Sequence, residues 1–339
     1  MVFIKDIAYY VPRKILSNDD LEKEFDGWSS SKILKKTGIR QRYIANAEKT
    51  SEMAVKAAEA LFAAEQQKKS RDKVDFLLLC TQSPDYCLPT TACIVQKALG
   101  LKDSIGALDF NLGCSGYIYG LQMAYSLISA GQARNVLLIT SEKYSKYIHP
   151  QDKSTRTIFG DAASATLISA EDGCAILDSF DVGTDGSGSQ NLIVPAGGDA
   201  LPISDETGAE KTDEGGNIRS LNNIYMNGPE IFTFTLDAVP LTVGRLLDKV
   251  SLPMDDIDFF VLHQANKFML ETLRIRMNIP EEKFLIDMEE YGNTVSSTIP
   301  IVLANAGKRS VFFDGAKVML VGFGVGYSWG TALMTWKEQ

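Results

Sequence analysis

Two stretches that lie 183 residues apart decide the fold: KVDFLLLCTQ at 73–82 and DIDFFVLHQA at 256–265. Each has a polar lead-in with an aspartate and then a continuous apolar run, which is typical of a strand buried on both faces. Three further pairs follow in the same order: ALDF (107–110) with LIDM (285–288), ARNVLLI (133–139) with AKVMLV (316–321), and GDAASATLIS (160–169) with GYSWGTALMT (326–335). The repeated order predicts an internal duplication of two mixed α/β layers. Chance is the alternative, since buried strands look alike in any α/β protein.

The 339 residues have an ordinary globular composition, 45% hydrophobic and 23% charged. The length favours two core-forming units, and the repeat places them at 1–180 and 181–339. Residues 184–223, rich in Gly, Asp, Glu and Ser, are predicted to form a loop excursion at the start of the second unit.

The charge and hydropathy patterns exclude some classes of partner. With a formal net charge of −9, the chain is a poor candidate for nucleic-acid binding, which depends on phosphate neutralisation. No apolar run approaches the length of a membrane span, and the opening MVFIKDIAYY lacks the apolar run of a signal peptide. We therefore expect a cytoplasmic protein without membrane association.

The small numbers of cysteines and histidines limit the kinds of catalytic and metal sites that the chain could form. There are five cysteines without a CxxC pair, and only two histidines, His149 and His263. An odd number of cysteines at irregular spacing predicts no disulfide framework, and the scarcity of clustered Cys and His argues against a metal site. Any imidazole chemistry must use one of the two histidines. His149, beside a proline in YIHPQDK, is predicted to be an ordinary surface residue.

Cys114 is the candidate nucleophile. It lies in NLGCSGYIYGL, between a strand-like segment and an apolar stripe with helical spacing that Gly131 should end. A thiol at a helix start lies near unpaired N–H groups and the positive end of the dipole, so we expect its pKa below roughly 8.5. Gly113 and Gly116 would allow a tight turn and close approach of substrate. The pattern favours a nucleophile elbow over a buried core cysteine, which is how we interpret Cys80, Cys93 and Cys174.

His263 and Asn293 are the other candidate site residues. His263, in VLHQANK, and Asn293, in YGNTVSSTIP, each follow a strand-like segment and precede a helix, and such strand ends carry ligands in open α/β sheets. Duplication puts Asn293 within one residue of the place that Cys114 holds in the first half, which predicts that the two helix starts converge. The alternatives are a core histidine bonded to backbone and an ordinary Gly-Asn turn.

The glycine-rich GFGVGYSWG at 322–330 leads into a second strand-like segment rather than a helix. It therefore does not match a dinucleotide fingerprint, and backbone N–H groups lining an acyl site fit better.

Taken together, GCSGY around Cys114, HQAN at 263–266, YGNT at 291–294 and GFGVGYSWG resemble the thiolase superfamily, and within it β-ketoacyl-acyl-carrier-protein synthase III. TGIRQRYI from 37, TTAC from 90 and IFGDAASA from 158 extend the similarity over nearly the whole chain. Degradative thiolases use a second catalytic cysteine near the C-terminus, whereas no cysteine follows Cys174 here. The resemblance implies a five-layered αβαβα fold with two similar halves, each with a mixed sheet, and a homodimer.

The resemblance also implies an activity: decarboxylative Claisen condensation of an acyl thioester, on coenzyme A or acyl-carrier protein, with malonyl-acyl-carrier protein, initiating fatty acid synthesis. No metal or other cofactor is expected. Cys114 would be the nucleophile and, with Val325, would supply the oxyanion-hole N–H groups; His263 and Asn293 would stabilise the enolate, and Phe323 would shield the site. The alternatives are a related enzyme of secondary metabolism, acyl transfer to oxygen or nitrogen, and, more remotely, a noncatalytic scaffold.

Some positions depart from the family pattern. Lys32 stands where a tryptophan often stacks on the coenzyme A adenine, with Trp28 one helical turn earlier, and Lys153 stands where an arginine covers the other adenine face. Because lysine stacks less well than arginine, we expect weaker coenzyme A binding or a donor carried on protein.

Carrier docking is assigned to a helix whose Lys267, Arg274 and Arg276 predict a positive patch suited to an acidic carrier, with an ordinary solvated helix face as the alternative. Thr233, and Phe268 beside Lys267, stand where family members use basic residues to dock the carrier protein. The residues assigned to carrier-protein or coenzyme A binding are Trp28, Lys32, Lys153, Gln264, Ala265, Asn266, Lys267, Phe268, Arg274 and Arg276.

Leu88 is assigned to the end of the acyl pocket, which it would reach across the dimer. Leucine in place of the phenylalanine of some family members predicts that longer or branched donors are accepted. The excursion at 184–223 is expected to cover the entrance.

Overall fold

A computed structural model describes residues 1–64 and 70–337, which contain nine α-helices and sixteen strands. The strands are β1 Val2–Tyr10, β2 Lys14–Ser17, β3 Gln41–Ile44, β4 Phe76–Cys80, β5 Gly106–Phe110, β6 Asn135–Glu142, β7 Ala162–Ser169, β8 Ala175–Thr184, β9 Leu192–Ile193, β10 Lys211–Thr212, β11 Ile218–Arg219, β12 Tyr225–Met226, β13 Phe259–Leu262, β14 Phe284–Leu285, β15 Lys317–Gly324 and β16 Ser328–Trp336. The helices are α1 Asn18–Glu24, α2 Ser30–Thr37, α3 Thr50–Ala63, α4 Thr91–Ala98, α5 Gly116–Ser129, α6 Lys153–Arg156, α7 Gly228–Val250, α8 Lys267–Arg276 and α9 Thr298–Lys308.

Ten strands form one mixed sheet in the order β14-β13-β15-β16-β8-β1-β7-β6-β4-β5. In the first half β4 pairs in parallel with β5 and β6, and in the second half β13 pairs in parallel with β14 and β15. β6 and β15 each continue into an antiparallel partner, β7 and β16 respectively. The two five-stranded halves therefore repeat one pairing pattern, which confirms the predicted duplication. They join where residues 2–4 of β1 pair with residues 175–177 of β8.

Helices complete five layers around these halves. α5 packs against β4 and β6 on one side and β15 and β16 on the other, and α9 contacts β1, β7 and β13. These two helices form the middle layer. α3 and α4 cover the outer face of the first half, while α7 and α8 cover the second. The αβαβα arrangement is the one that the family resemblance implies. No helix in the described part of the chain is long and apolar enough to span a membrane.

The boundary between the halves can be refined from strand pairing. The predicted division at 180/181 falls inside β8, which pairs with β16 of the second half along most of its length. Because β7 ends at Ser169 and β8 begins at Ala175, we propose to place the division within residues 170–174.

The excursion at 184–223 consists mostly of turns and loops, with three two-residue strands, β9, β10 and β11. Arg219 anchors it: the guanidinium lies 3.0 Å from the buried carboxylate of Asp152 and also contacts Asp213. An ion pair with a fully buried partner holds the excursion against α6.

Three helix starts bring the candidate residues together. Cys114 comes just before α5, His263 just before α8 and Asn293 shortly before α9. α5 ends near Gly131, whose φ of +71° makes it the predicted C-terminal stop. Two of the three helices belong to the middle layer, so their starts meet between the halves.

Candidate active site

Cys114, His263 and Asn293 line one cavity of about 810 Å³, the main cavity. All three are buried, with 5%, 2% and 4% of their surface exposed, and they lie at its enclosed end. The predicted convergence of three residues that are distant in sequence is therefore present in the fold. In residues 1–64 and 70–337, no group of three His, Cys, Asp or Glu side chains is arranged to hold a metal ion.

The turn that carries Cys114 is pressed against β15. A Cβ atom at Gly324 would lie 2.8 Å from the Cβ and 3.0 Å from the Sγ of Cys114, so only glycine fits there. The backbone N–H groups of Cys114 and Val325 both face the thiol and act to lower its pKa. Two donors aimed at the sulfur are positioned to bind an oxyanion that forms on a carbon attached to it.

The glycines beside Cys114 serve a purpose other than the predicted one. A Cβ at Gly113 would lie 2.4 Å from Gln82 Oε1, and a Cβ at Gly116 would lie 2.2 Å from Cys80 Sγ. Neither glycine has a positive φ. Their small size admits side chains from the end of β4, so neighbour packing rather than turn geometry requires them.

The pKa of the Cys114 thiol was predicted to be low, and this is wrong. Burial, and secondly the nearby Glu142, raise its pKa to about 12, while the N–H groups of Cys114 and Val325 act in the opposite direction. Desolvation of the thiolate outweighs the helix-start effect because the sulfur is enclosed. The resting nucleophile is therefore a thiol.

Glu142, at the end of β6, is a buried carboxyl group that the sequence analysis missed. Ser296 Oγ donates to its Oε1 at 2.9 Å, and the Gln82 N–H donates to its Oε2 at 3.1 Å. Burial raises its pKa to about 8, against the lowering effect of these donors and of Lys146. The signal in the sequence was a glutamate that closes the otherwise uncharged run NVLLITSE.

His263 is held as a neutral imidazole. Burial lowers its pKa to about 3 against a smaller raising effect of the Val295 carbonyl, and its Nδ1 lies 2.8 Å from the Thr298 hydroxyl. Its Nε2 lies 3.5 Å from Asn293 Nδ2. Phe323 packs edge-on against the ring with centroids 5.5 Å apart, which keeps this end of the cavity apolar.

Asn293 is clamped to a segment of the first half. Its N–H donates to the Ile158 carbonyl at 2.9 Å, and its own carbonyl accepts from the Gly160 N–H at 3.0 Å. The Val295 N–H donates to Asn293 Oδ1 at 2.9 Å, which turns Nδ2 toward His263. Val295 has φ +57°, a costly conformation for a β-branched residue. That conformation lets one residue present its N–H to the carboxamide and its carbonyl to the imidazole.

Two hydrogen-bonded serines hold Val325, whose N–H is the second group that faces the Cys114 thiol. Ser115 Oγ lies 2.6 Å from Ser328 Oγ, and Ser328 Oγ donates to the Val325 carbonyl at 2.8 Å. Both serines are buried. The Val325 carbonyl is thereby linked to Ser115 at the start of α5. Ser115 directly follows Cys114, whose thiol the Val325 N–H faces.

The mouth of the main cavity is cationic and aromatic. Trp28 and Lys32, both assigned to carrier-protein or coenzyme A binding, line it together with Lys35 and Lys36, which lie on the same helix as Lys32 and were not singled out although KILKK at 32–36 carries the signal. The Lys36 ammonium lies 4.8 Å from the Trp28 ring centroid. Ala265, Asn266, Phe268 and Met269 line it on the α8 side.

The other residues assigned to binding lie outside the main cavity. Gln264 is buried and donates to the Leu262 carbonyl at 2.6 Å, and Lys267 packs on Gly38. Arg274 pairs with Glu271 at 2.8 Å and Arg276 with Asp237 at 3.1 Å, so the predicted positive patch is partly neutralised. Lys153 faces Gly216 of the excursion. Leu88 is 85% exposed, and His149 is half-buried beside Glu210.

The duplicated fold, with a buried thiol where its middle-layer helix begins, places the chain among the thiolase-fold acyltransferases. The C-terminal model of the 3-oxoacyl-[acyl-carrier-protein (ACP)] synthase III family matches residues 247–336, and a second model of that family matches residues 108–186. The β-ketoacyl-[acyl-carrier-protein] synthase III of Campylobacter curvus is 39% identical over 329 residues, which cover 97% of this chain and 95% of the relative.

Comparison with solved structures points to the same family. A 3-oxoacyl-(acyl-carrier-protein) synthase III crystal structure is 49% identical with a TM-score of 0.95 and 99% of both chains covered. The 3-oxoacyl-(acyl-carrier-protein) synthase of Burkholderia xenovorans is 37% identical with a TM-score of 0.89, covering 99% of this chain and 94% of that one. The chain belongs to the 3-oxoacyl-[acyl-carrier-protein] synthase III family.

Proposed function

We propose that the chain condenses an acyl thioester with malonyl-acyl-carrier protein, releasing carbon dioxide and giving the β-ketoacyl-carrier protein that begins fatty acid synthesis. The observation that carries this is the meeting of Cys114, His263 and Asn293 in one cavity of a chain from this family. No metal or redox group takes part in the steps below.

In the first half-reaction, Cys114 Sγ attacks the acyl carbonyl carbon. The N–H groups of Cys114 and Val325, which already face the sulfur, bind the oxyanion of the tetrahedral intermediate. Collapse expels the thiol of the donor, which takes up the proton that Cys114 gives up. The lysines and Trp28 at the mouth would hold the phosphates and adenine of a coenzyme A donor.

In the second half-reaction, loss of carbon dioxide from the malonyl group leaves an enolate. Asn293 Nδ2 and His263 Nε2 are close enough to share its oxygen, and a neutral imidazole donates when Nε2 carries its proton. The Thr298 hydroxyl, which lies 2.8 Å from Nδ1 and 3.1 Å from the Val295 carbonyl, keeps the proton on Nε2 when it donates to Nδ1 instead of to the carbonyl. The enolate carbon then attacks the acyl carbonyl, and the sulfur of Cys114 leaves as a thiolate and takes up a proton from solvent, the one proton that the overall condensation consumes.

The substrates and partners are proposed with this mechanism: acyl-coenzyme A or acyl-carrier donors, malonyl-carrier protein, and a second copy of the chain in a homodimer. Phe268, 64% exposed and stacked on Phe232 at 5.5 Å, offers an apolar contact for the carrier beside the cavity mouth. A cytoplasmic location stays a prediction.

The test separates the half-reactions by mass spectrometry with acetyl-coenzyme A and malonyl-carrier protein. Wild type should form an acyl adduct on Cys114 and a product two carbons longer. Cys114→Ala should form no adduct. His263→Ala and Asn293→Ala should still be acylated but condense at least about 100-fold more slowly, since each removes a donor to the enolate. His149→Ala is the matched control and should behave as wild type.

The same assay tests the alternatives. Acyl transfer to an oxygen or nitrogen acceptor without release of carbon dioxide would replace condensation as the function. Absence of any adduct on Cys114 with every donor would indicate a noncatalytic scaffold.

A further inference from the structure

Arg42 of β3 is a buried cation that the mechanism above does not use. Burial, and secondly the nearby Arg156, lower its pKa to about 10, so the fully buried guanidinium is still charged at neutral pH. In the part of the chain that the structure describes, its hydrogen bonds go to neutral oxygens: the Leu16 carbonyl at 3.1 Å, Asn18 Oδ1 at 2.9 Å and the Thr157 carbonyl at 2.8 Å. A charge buried without a carboxylate partner reduces stability, and apolar side chains fill such a space at less cost, so stability alone does not account for this arginine.

The guanidinium holds the segment of the first half that fixes Asn293. Arg42 Nη2 donates to the Thr157 carbonyl at 2.8 Å. The carbonyl of the next residue, Ile158, accepts the Asn293 N–H at 2.9 Å, and the Gly160 N–H donates to the Asn293 carbonyl at 3.0 Å. The bond from the arginine and the first bond to Asn293 are therefore made by consecutive carbonyls of one segment.

The aliphatic stem of Arg42 packs against the glycines on both sides of this clamp. A Cβ atom at Gly160 would lie 3.1 Å from the Cβ of Arg42, and so would a Cβ atom at Gly292, directly before the asparagine. The next residue of β3, Tyr43, accepts the Asp161 N–H on its carbonyl at 2.8 Å. Strand β3 thus runs along the clamp, and Arg42 lies where its two chain segments meet.

The position of the Asn293 carboxamide matters in one half-reaction only. Its Nδ2 lies 3.5 Å from His263 Nε2, and in the proposed mechanism the two atoms share the enolate oxygen. A small displacement of the asparagine would weaken this shared contact, because a hydrogen bond depends steeply on distance and angle. Acylation of Cys114 does not use the carboxamide, since the N–H groups of Cys114 and Val325 face the sulfur.

We propose that Arg42 is a positioning residue for condensation: through the Thr157 carbonyl it holds residues 157–160 against Asn293 and so aims the carboxamide at the enolate. This rests on the proposed function, because it assigns a role within the second half-reaction. Loss of the guanidinium then slows condensation and spares acylation, whereas loss of a merely structural arginine affects both half-reactions alike.

The experiment compares two single-turnover rates in Arg42→Met, whose apolar side chain fills the space of the arginine stem. Acylation of Cys114 by acetyl-coenzyme A is followed by rapid quench and mass spectrometry, and condensation is followed from the acylated enzyme with malonyl-carrier protein. Acylation should change less than about twofold and condensation should slow by about tenfold, because removing an oxyanion donor costs about 10²–10³ and misplacing one costs less. Leu21→Ala, a buried change in α1 that keeps the bond to Thr157, is the control for lost stability and should keep the wild-type ratio of the two rates.

A double-mutant cycle tests whether Arg42 acts through the carboxamide. In the Asn293→Ala background the carboxamide is gone, so Arg42→Met should slow condensation no further. If Arg42→Met does not fold, Arg42→Lys provides the same comparison, since one ammonium nitrogen then replaces the two nitrogens that bind Leu16 and Thr157.

The outcomes separate this inference from the proposed function. If wild type does not condense the two substrates, the proposed function fails and this inference with it. If wild type condenses them but the folded Arg42 variants slow both half-reactions equally, or neither, the inference alone fails. It is also overturned if Arg42→Met slows condensation as much in the Asn293→Ala background as in wild type.

Discussion

Ser328 shows how a residue without substrate contact can act on the reaction. Its hydroxyl holds the Val325 carbonyl and is itself bonded to Ser115. Ser328→Ala should lower kcat by about tenfold with little change in KM for the donor, because losing an oxyanion donor outright costs about 10²–10³ and a loosened donor costs less. Ser328→Thr should restore kcat. Ser126→Ala, on the exposed face of α5, is the control. A raised KM with unchanged kcat would contradict a positioning role.

Glu142 makes stability depend on pH in a direction opposite to that of an ordinary paired carboxylate. Its pKa is about 8 in the folded protein against a reference of 4.5, so between these values the folded state binds more protons than the unfolded state. Its contribution to stability is therefore fully present below 4.5, falls as pH rises toward 8, and is level above that. The slope is about 1.4 kcal/mol per pH unit.

The measurement is urea unfolding of wild type and Glu142→Gln at pH 5, 6.5 and 8. Wild type should lose stability relative to the variant by about 1.4 kcal/mol per unit over this range. Asp161, whose pKa burial raises to about 6, is present in both proteins and cancels in the difference. Parallel pH profiles would show that Glu142 is ionised in the folded state at neutral pH.

At the scale of elements, two glycines differ in whether the structure has room for a side chain at their positions. In α7, an ideal Cβ on Gly244 meets nothing within 4 Å, whereas on Gly324 of β15 it meets Cys114. Gly244→Ala should stabilise the protein by about 0.5–1 kcal/mol, the helix preference of alanine over glycine, and leave turnover unchanged. Gly324→Ala should abolish acylation. Thermal unfolding and the acylation assay measure both; a destabilised Gly244→Ala would mean that α7 tolerates no added methyl group.

Elements with a local signal were predicted well from the sequence. The apolar stripe after Cys114 became α5, and the run that ends at His263 became β13. What the sequence could not show depends on distant neighbours. The raised pKa of Cys114 comes from enclosure and from Glu142, and Gly116 is explained only by Cys80 Sγ. Cys93, predicted to be buried, is half-buried, because α4 lies at an outer face.

At the scale of the whole molecule, Leu88 remains a prediction that needs a second subunit. It is 85% exposed and lies outside the main cavity of its own chain. Leu88→Phe should shorten the preferred donor, since the larger ring would fill the end of the partner's acyl pocket. Equal rates across donor lengths before and after the change would contradict the assignment.

A mixed dimer makes the Leu88 test sharper. One chain carries both Cys114→Ala and Leu88→Phe, and its partner is wild type, so that only the wild-type chain is acylated. A shortened donor preference in this dimer shows that residue 88 acts across the interface. An unshifted preference, with the dimer verified by light scattering, would contradict the assignment of Leu88 to the partner's acyl pocket.

The clamp between Asn293 and residues 158–160 joins the two halves at the backbone of the residue whose carboxamide lines the site. Turnover therefore depends on how accurately the two halves pack against each other. Loosening of this seam by heat or mild denaturant should therefore inactivate the enzyme while both five-stranded halves and their covering helices persist, so that activity is lost before secondary structure.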